Sequence, residues 1–209
     1  MRIFFYILMA LVTMTIVQIH PSEQSHADSV DIYTVQPGDT LWKISRTYQI
    51  GLSEIINANP QFDNPDLIYP GDDVTIPLKT EVKSIEDEVI RITNEMRQQH
   101  GLQPLEGDWQ LSRVARYKSR DMRDQNYFSH QSPTYGSPFE MIEQFNVSYQ
   151  RAAENIAAGQ QNPRSVVDSW MNSQGHRENI LDPNMTHIGV GYAEGGQYNN
   201  YWTQMFIAR

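Results

Sequence analysis

His187-Ile188-Gly189-Val190-Gly191-Tyr192 and Tyr201-Trp202-Thr203-Gln204-Met205-Phe206-Ile207 decide the fold. Both runs are rich in β-branched and aromatic residues. The segment between them, AEGGQYNN, is made of turn formers, so the pair reads as an antiparallel hairpin. Upstream the period changes. Ile85, Val89, Ile92 and Met96 recur at helical spacing and stop near Gly101. A second helix is predicted from about Asp108, with Trp109, Leu111, Val114, Ala115 and Met122 inward. Its other face carries Arg113, Arg116, Lys118, Arg120 and Arg123, which reads as a solvated stripe paired with nearby acids rather than a polyanion site. A third helix begins near Ser137-Pro138 with Phe139, Ile142 and Phe145 inward. A fourth starts at Asn162-Pro163, cap and first-turn proline in order, and carries Val166, Val167 and Trp170. Trp170 and Trp202 read as core. Helices first and strands afterwards predict α+β layering, not a doubly wound parallel sheet.

Towards the N-terminus the chain reads as a separate small unit. Strand-like Ile32 to Gln36 runs into the turn Pro37-Gly38-Asp39-Thr40, which ends in helix-capping residues. Leu41, Ile44 and Tyr48 follow at helical spacing. Gly51 breaks the pattern, Ser53 is placed to cap a second short helix, and Ile55 and Ile56 form its apolar face. After the loop NPQFDNPD come Leu67-Ile68-Tyr69, a turn at Pro70-Gly71 and the strand Val74-Thr75-Ile76-Pro77, giving β-α-α-β. Between the units, Lys79 to Ser84 (KTEVKS) is short and charged and reads as a hinge. Ahead of both, Arg2 precedes the apolar run Ile3 to Val17, and Ser25-His26-Ala27 follows. That pattern reads as a secretory signal over residues 1–27. The alternative, a permanent membrane anchor, needs roughly 20 apolar residues to cross a bilayer.

The small unit is similar to the LysM family. YTVQPGDTLWKIS, INANPQF and YPGDDVTIP occur in the family's order over residues 32–78, inside a domain taken as residues 28–78. The resemblance implies binding of N-acetylglucosamine-containing glycans, peptidoglycan or chitin, in a shallow groove. Gly38, Asp39, Thr40 and Leu41 would line one side, and Asn59, Pro60, Leu67 and Ile68 the other. Short polar side chains and backbone amides suit acetamido groups.

The larger unit, taken as residues 85–209, carries polar residues in otherwise apolar surroundings. The segments are Tyr127-Phe128-Ser129-His130, Ala152-Ala153-Glu154-Asn155-Ile156-Ala157 and Ser173-Gln174-Gly175-His176-Arg177-Glu178-Asn179-Ile180. With NEMRQQHGLQPL, HIGVGY and YWTQMF they resemble the CAP superfamily, of cysteine-rich secretory proteins, antigen 5 and plant pathogenesis-related proteins, in its cysteine-free bacterial branch. The resemblance implies a three-layer α-β-α sandwich with a central cleft. Two histidines and one or two acids converge there and hold a divalent metal in many members. By motif these fall on His130, Glu154 and His176, and the metal would be zinc, magnesium or calcium. The second acid is replaced by Ser173, which weakens a metal site and removes a candidate general base. The glycine before the motif's Glu-Asn pair is Ala153 here. His187, at a strand entry, is a weaker outside candidate.

Composition limits the function further. Of the 209 residues none is cysteine, which removes disulfides, thiolate metal sites and a cysteine nucleophile. The formal charge of −9 argues against nucleic acid as a partner. Residues 28–78 carry eight acids and two bases, so recognition there rests on hydrogen bonds and fit; an acidic surface kept for solubility explains the charge equally. No glycine-rich phosphate loop, GxSxG elbow or HExxH helix is present. The expected protein is secreted and associated with a cell wall or spore surface, with no membrane contact after signal removal. Its partners are a peptidoglycan or chitin-like glycan and wall or spore-coat proteins. The larger domain is expected to bind a ligand; the alternative is a metal-dependent wall or peptide hydrolase.

Overall fold

Two antiparallel strands, β1 (Ser29–Thr34) and β2 (Asp73–Leu78), close the small unit, with Ser29 opposite Leu78 and Thr34 opposite Asp73. The computed structural model describes residues 29–209, so the signal expected over residues 1–27 lies outside the described residues. Between the strands run α1 (Leu41–Thr47) and α2 (Leu52–Asn57). Val35, Leu41, Ile44, Ile50, Ile55, Val74 and Ile76 form one buried cluster, the β-α-α-β core expected from their spacing. Thr40 caps α1: its hydroxyl accepts the Lys43 N–H at 3.2 Å. Ser53, expected to cap α2, lies inside that helix, and Gly51 is the cap. A Cβ at residue 51 would overlap the ends of the Glu54 and Arg113 side chains, which would have to shift to admit it.

The segment Lys79 to Ser84 is not a hinge. Only Lys79 separates β2 from α3 (Thr80–Gln99), because Val82, Ile85, Val89 and Ile92 continue the helical spacing back to the strand. Two further contacts stiffen the junction. Arg113 grips Glu54 with both arms of its guanidinium, at 2.7 and 2.8 Å, and also donates to the Ser53 hydroxyl at 2.9 Å. Lys83 Nζ reaches the carbonyls of Tyr48 and Gln49, each at 3.3 Å.

The larger unit is a four-stranded sheet in the order β3-β5-β6-β4. β5 (His187–Glu194) and β6 (Asn200–Ala208) form the expected hairpin, and β4 (Arg151–Ala158) pairs antiparallel with β6. β3 (Glu106–Gly107) is two residues long and parallel to β5. Period-2 alternation sorts the side chains between two layers. Met205 and Ile207 pack with Leu111, Val114 and Ala115 of α4 (Trp109–Asp124) and with Met141 and Ile142 of α5 (Pro138–Gln144). Ile188, Val190, Trp202 and Phe206 point the other way, against Val89 and Ile92 of α3, Val166, Val167 and Trp170 of α6 (Pro163–Met171) and Ile180 of α7 (Gln174–Ile180). The result is the α-β-α sandwich.

Two devices hold α4 to β5. At Gly189 and Gly191 a Cβ would overlap the helix backbone at Leu111–Ser112 and Ala115–Arg116, so the alternating glycines let helix and strand touch. Beyond the short β3, the outer edge of β5 lacks a strand neighbour. Side chains take its amides instead: Ser112 Oγ accepts the Val190 N–H at 3.1 Å, and Glu86 Oε1 accepts the Tyr192 N–H at 3.1 Å. Glu86 in turn is gripped by Arg116, with Nε to Oε1 at 2.8 Å. Both side chains are almost wholly buried, so Arg116 does not lie on the solvated stripe expected from the sequence. Lys118 departs from that stripe as well, being fully buried.

Candidate functional site

The site forms at the free edge of β4. Glu154 is paired with Met205 and points towards the α4 layer, whereas Asn155, paired with Gln204, points towards α6 and α7. Glu154 is buried, and its Oε1 lies 2.6 Å from Nδ1 of His130, whose side chain remains about half exposed. An ionised carboxylate can only accept, so Nδ1 carries the proton in that pair. The second carboxylate oxygen, Oε2, is buried without a hydrogen-bond partner among the described residues. A buried anion left half satisfied costs stability and is a common mark of a functional group.

Helix α4 supplies the scaffold for His130. Buried Lys118 donates to the His130 carbonyl at 2.8 Å and to the Tyr127 hydroxyl at 3.2 Å. One turn on, Asp121 accepts from Tyr127 Oη at 2.5 Å, from Ser132 Oγ at 2.6 Å and from Thr134 Oγ1 at 2.6 Å. These bonds pin the loop on both sides of His130. On the opposite side, Asn155 Nδ2 donates to the His176 carbonyl and to Gln204 Oε1, each at 3.1 Å, and Asn179 Nδ2 donates to Asn155 Oδ1 at 2.9 Å. Thus Glu154 engages His130 while its neighbour Asn155 anchors the helix carrying His176. Ser173 is the N-cap of α7 and makes no side-chain capping bond. His187 sits in β5, its Nδ1 at 2.7 Å from Thr186 Oγ1, and takes no part in this site.

Electrostatics divide the three groups. Burial pushes the Glu154 carboxyl above its usual range, against the opposing pull of His130 and Lys118. Burial, with a smaller contribution from the charge on His130, pushes the His176 imidazole down. The signs follow by linkage. The Glu154 contribution is most favourable below the ordinary carboxylate range and is lost as pH rises through its folded value. That of His176 is present above the ordinary imidazole range and is lost as pH falls through its folded value. Glu154→Gln removes the first dependence. The variant should therefore gain thermal stability relative to the wild type as pH rises from about 4 to about 8. Calorimetry across that window checks it; a wild type that gains on the variant towards the alkaline end contradicts it.

Among the described residues no group of three or more His, Asp or Glu side chains is disposed to hold an ion. The His130–Glu154 hydrogen bond uses Nδ1 and Oε1 and leaves Glu154 Oε2 unpartnered among the described residues. As arranged, the three side chains do not form a metal-binding group.

In the small unit the eight expected groove residues separate into two groups. Leu41 and Asn59 are buried. Asn59 is fully occupied: its amide donates to the carbonyls of Ile55 and Thr75, and its oxygen accepts from Thr75 N and Gln61. These two belong to the interior of the module. Gly38, Thr40, Pro60 and Leu67 are exposed, and Ile68 is half-buried against the core. Gly38 turns at φ +89, a left-handed conformation that favours glycine. Asp39 braces the same turn by accepting from Tyr33 Oη at 2.6 Å and Gln36 N at 2.8 Å. Two exposed aromatics next to these residues, Trp42 and Tyr69, escaped sequence reasoning because neither breaks an apolar pattern.

An α-β-α sandwich with a histidine–carboxylate pair at its edge strand, preceded by a small β-α-α-β module, defines a two-domain protein. The chain belongs to the cysteine-rich secretory protein (CAP) family, whose pattern matches residues 90–206, and a LysM domain matches residues 33–77. It is 56% identical over 135 residues to the uncharacterized protein YkwD of Bacillus subtilis, covering 65% of this chain and 51% of that one. The small unit is 45% identical over 49 residues to the spore coat assembly protein ExsA of Bacillus cereus, covering 23% of this chain and 8% of ExsA. The crystal structure of an extracellular SCP-domain protein from Bacillus anthracis superimposes with a TM-score of 0.55 at 38% identity, over 67% of this chain and 47% of that one. The chain thus spans about half the length of YkwD and of the B. anthracis chain. Among the described residues no helix is long and apolar enough to cross a membrane.

Proposed function

We propose that this is a secreted cell-wall or spore-surface protein. Its LysM module holds peptidoglycan or a chitin-like N-acetylglucosamine polymer, and its CAP domain offers the His130–Glu154–His176 edge to a ligand. The observation that carries the reading is the division of the LysM residues. Leu41 and Asn59 stiffen the module from within, leaving Gly38, Thr40, Pro60 and Leu67 free on its surface. Short polar groups with one apolar neighbour suit the acetamido and ring faces of such a sugar. The likeness to a spore coat assembly protein and to an extracellular SCP-domain protein supports a setting outside the cell.

In the CAP domain the half-exposed His130 ring and the unsatisfied Glu154 carboxylate are suited to a ligand that brings polar groups. The second acid of the metal set is replaced by Ser173 and no nucleophile motif is present, so binding is preferred over a metal-dependent hydrolase. The test is an NMR titration with N-acetylglucosamine oligomers. Amide shifts should cluster at Gly38, Asp39, Thr40, Leu67 and Ile68; absence of shifts, or shifts centred elsewhere, contradicts the glycan reading.

A further inference from the structure

Trp42 and Arg46 lie one turn apart on α1, and Trp109 opens α4 in the other domain. The Arg46 guanidinium carbon is 6.0 Å from the Trp42 ring centre and 5.3 Å from that of Trp109, so the three side chains form one strip across the junction. Trp42 is 59% exposed and follows directly on the Gly38–Leu41 loop. The LysM module has only two bases, Lys43 and Arg46. Lys43 is engaged by the Gly38 carbonyl at 2.6 Å. Arg46 meets no carboxylate among the described residues; its contacts are the two rings. An acidic module therefore keeps its one uncommitted cation between the exposed ring of Trp42 and the half-buried ring of Trp109.

Each part of the strip has a chemical preference. Indole rings present large apolar faces of the kind that cover the C–H faces of a pyranose, and their N–H edges suit its hydroxyls. A guanidinium is permanently charged and pairs with carboxylates through two parallel hydrogen bonds. A neutral chitin-like polymer would use only the rings. A wall glycan whose hexosamines bear lactyl or peptide carboxylates would use both.

We infer that a glycan strand leaving the LysM groove continues over Trp42 and Arg46 onto Trp109 of the CAP domain, with Arg46 taking a carboxylate carried by the strand. The preferred polymer is then the carboxylate-bearing wall glycan, and the CAP domain contributes to holding it. This inference rests on the glycan reading of the LysM module. It also requires the two domains to keep a fixed relation, which the Arg113–Glu54 grip and the continuous α3 provide.

Binding isotherms of the full chain on two insoluble probes test it. One probe is peptidoglycan sacculi stripped of covalently attached anionic polymers; the other is chitin particles. Arg46→Gln should weaken binding to sacculi about tenfold, the loss expected for a charge-assisted bond, and leave chitin within about twofold. Trp109→Ala should weaken both by about fivefold. Arg46→Lys, which keeps the charge, should recover part of the sacculus affinity, showing that the glutamine variant has not merely lost its fold. Only the sacculus affinity should fall steeply with salt. Equal losses on both probes with Arg46→Gln, or no loss on sacculi, overturn the carboxylate assignment. Unchanged binding with Trp109→Ala overturns the CAP contribution. A wild type that binds neither probe overturns the glycan reading itself, and the strip with it.

Discussion

Gly191→Ala should destabilise the CAP domain by about 3 kcal/mol, at the upper end of what overpacking costs. The new Cβ would overlap the backbone of Ala115 and Arg116, not the movable end of a side chain. Relief requires α4 to lift from β5. That would break the bond from Ser119 Oγ to the Gly191 carbonyl (2.9 Å) and loosen Ser119 from Thr203 Oγ1 (2.9 Å), both in the interior. It would also disturb Lys118 and Asp121, which hold the His130 loop. Since whole domains are stable by only about 5–15 kcal/mol, the variant should show a markedly lower urea midpoint. Gly101→Ala is the contrasting control: that glycine has open space around it, and its penalty is confined to a left-handed φ of +75. A Gly191→Ala midpoint within error of the wild type would show that helix and strand are not in contact as described.

Glu86→Ala should cost about 3–5 kcal/mol, the usual penalty for leaving one member of a buried ion pair behind. Arg116 would keep its charge in a site closed to water, and the Tyr192 N–H on the edge of β5 would lose its acceptor. The pair itself is weak evidence of net stabilisation. Burial raises the Glu86 carboxyl above its usual range despite Arg116, so water is preferred even over a good partner. Replacing both residues by apolar side chains of similar size, Glu86→Leu with Arg116→Met, should recover much of the loss. Equilibrium unfolding of the two single variants and the double variant separates these terms. A Glu86→Ala protein as stable as the wild type would contradict the buried geometry.

The hairpin, the four apolar helical patterns and the β-α-α-β module were legible because each has a clean period. β4 was not. Its residues 151–158 read Arg-Ala-Ala-Glu-Asn-Ile-Ala-Ala, in which the polar pair Glu154-Asn155 interrupts the alternation that would announce a strand. The same interruption is why the site could be found: Glu154 and Asn155 are polar residues facing opposite layers of an edge strand. The expected hinge failed for a different reason. A charged hexapeptide resembles a linker unless its apolar residues are counted in phase with the helix that follows, and Val82 is in phase with Ile85 and Val89.

At the sites the sequence named the groups but not their partners. It brought forward His130 and Glu154, which meet at 2.6 Å, together with His176 on the neighbouring layer. It treated Lys118 and Arg116 as solvated cations because helical phase alone cannot say which polar face is covered by another element. Lys118 lies under the Tyr127–His130 loop, and Arg116 lies under Glu86 from another helix. In the LysM module, the resemblance did not distinguish residues that touch a ligand from those that brace the fold. Asn59, with its oxygen and amide bonded to four partners, is the clearest brace.

The central claim is that the LysM module holds the CAP domain on the wall. Co-sedimentation with purified insoluble peptidoglycan tests it most directly, comparing the chain from residue 28 onward with one that starts at residue 79. The account predicts that the longer protein pellets with the wall. The shorter one, checked by circular dichroism to be folded, should stay in the supernatant. Equal retention of the two proteins would contradict it.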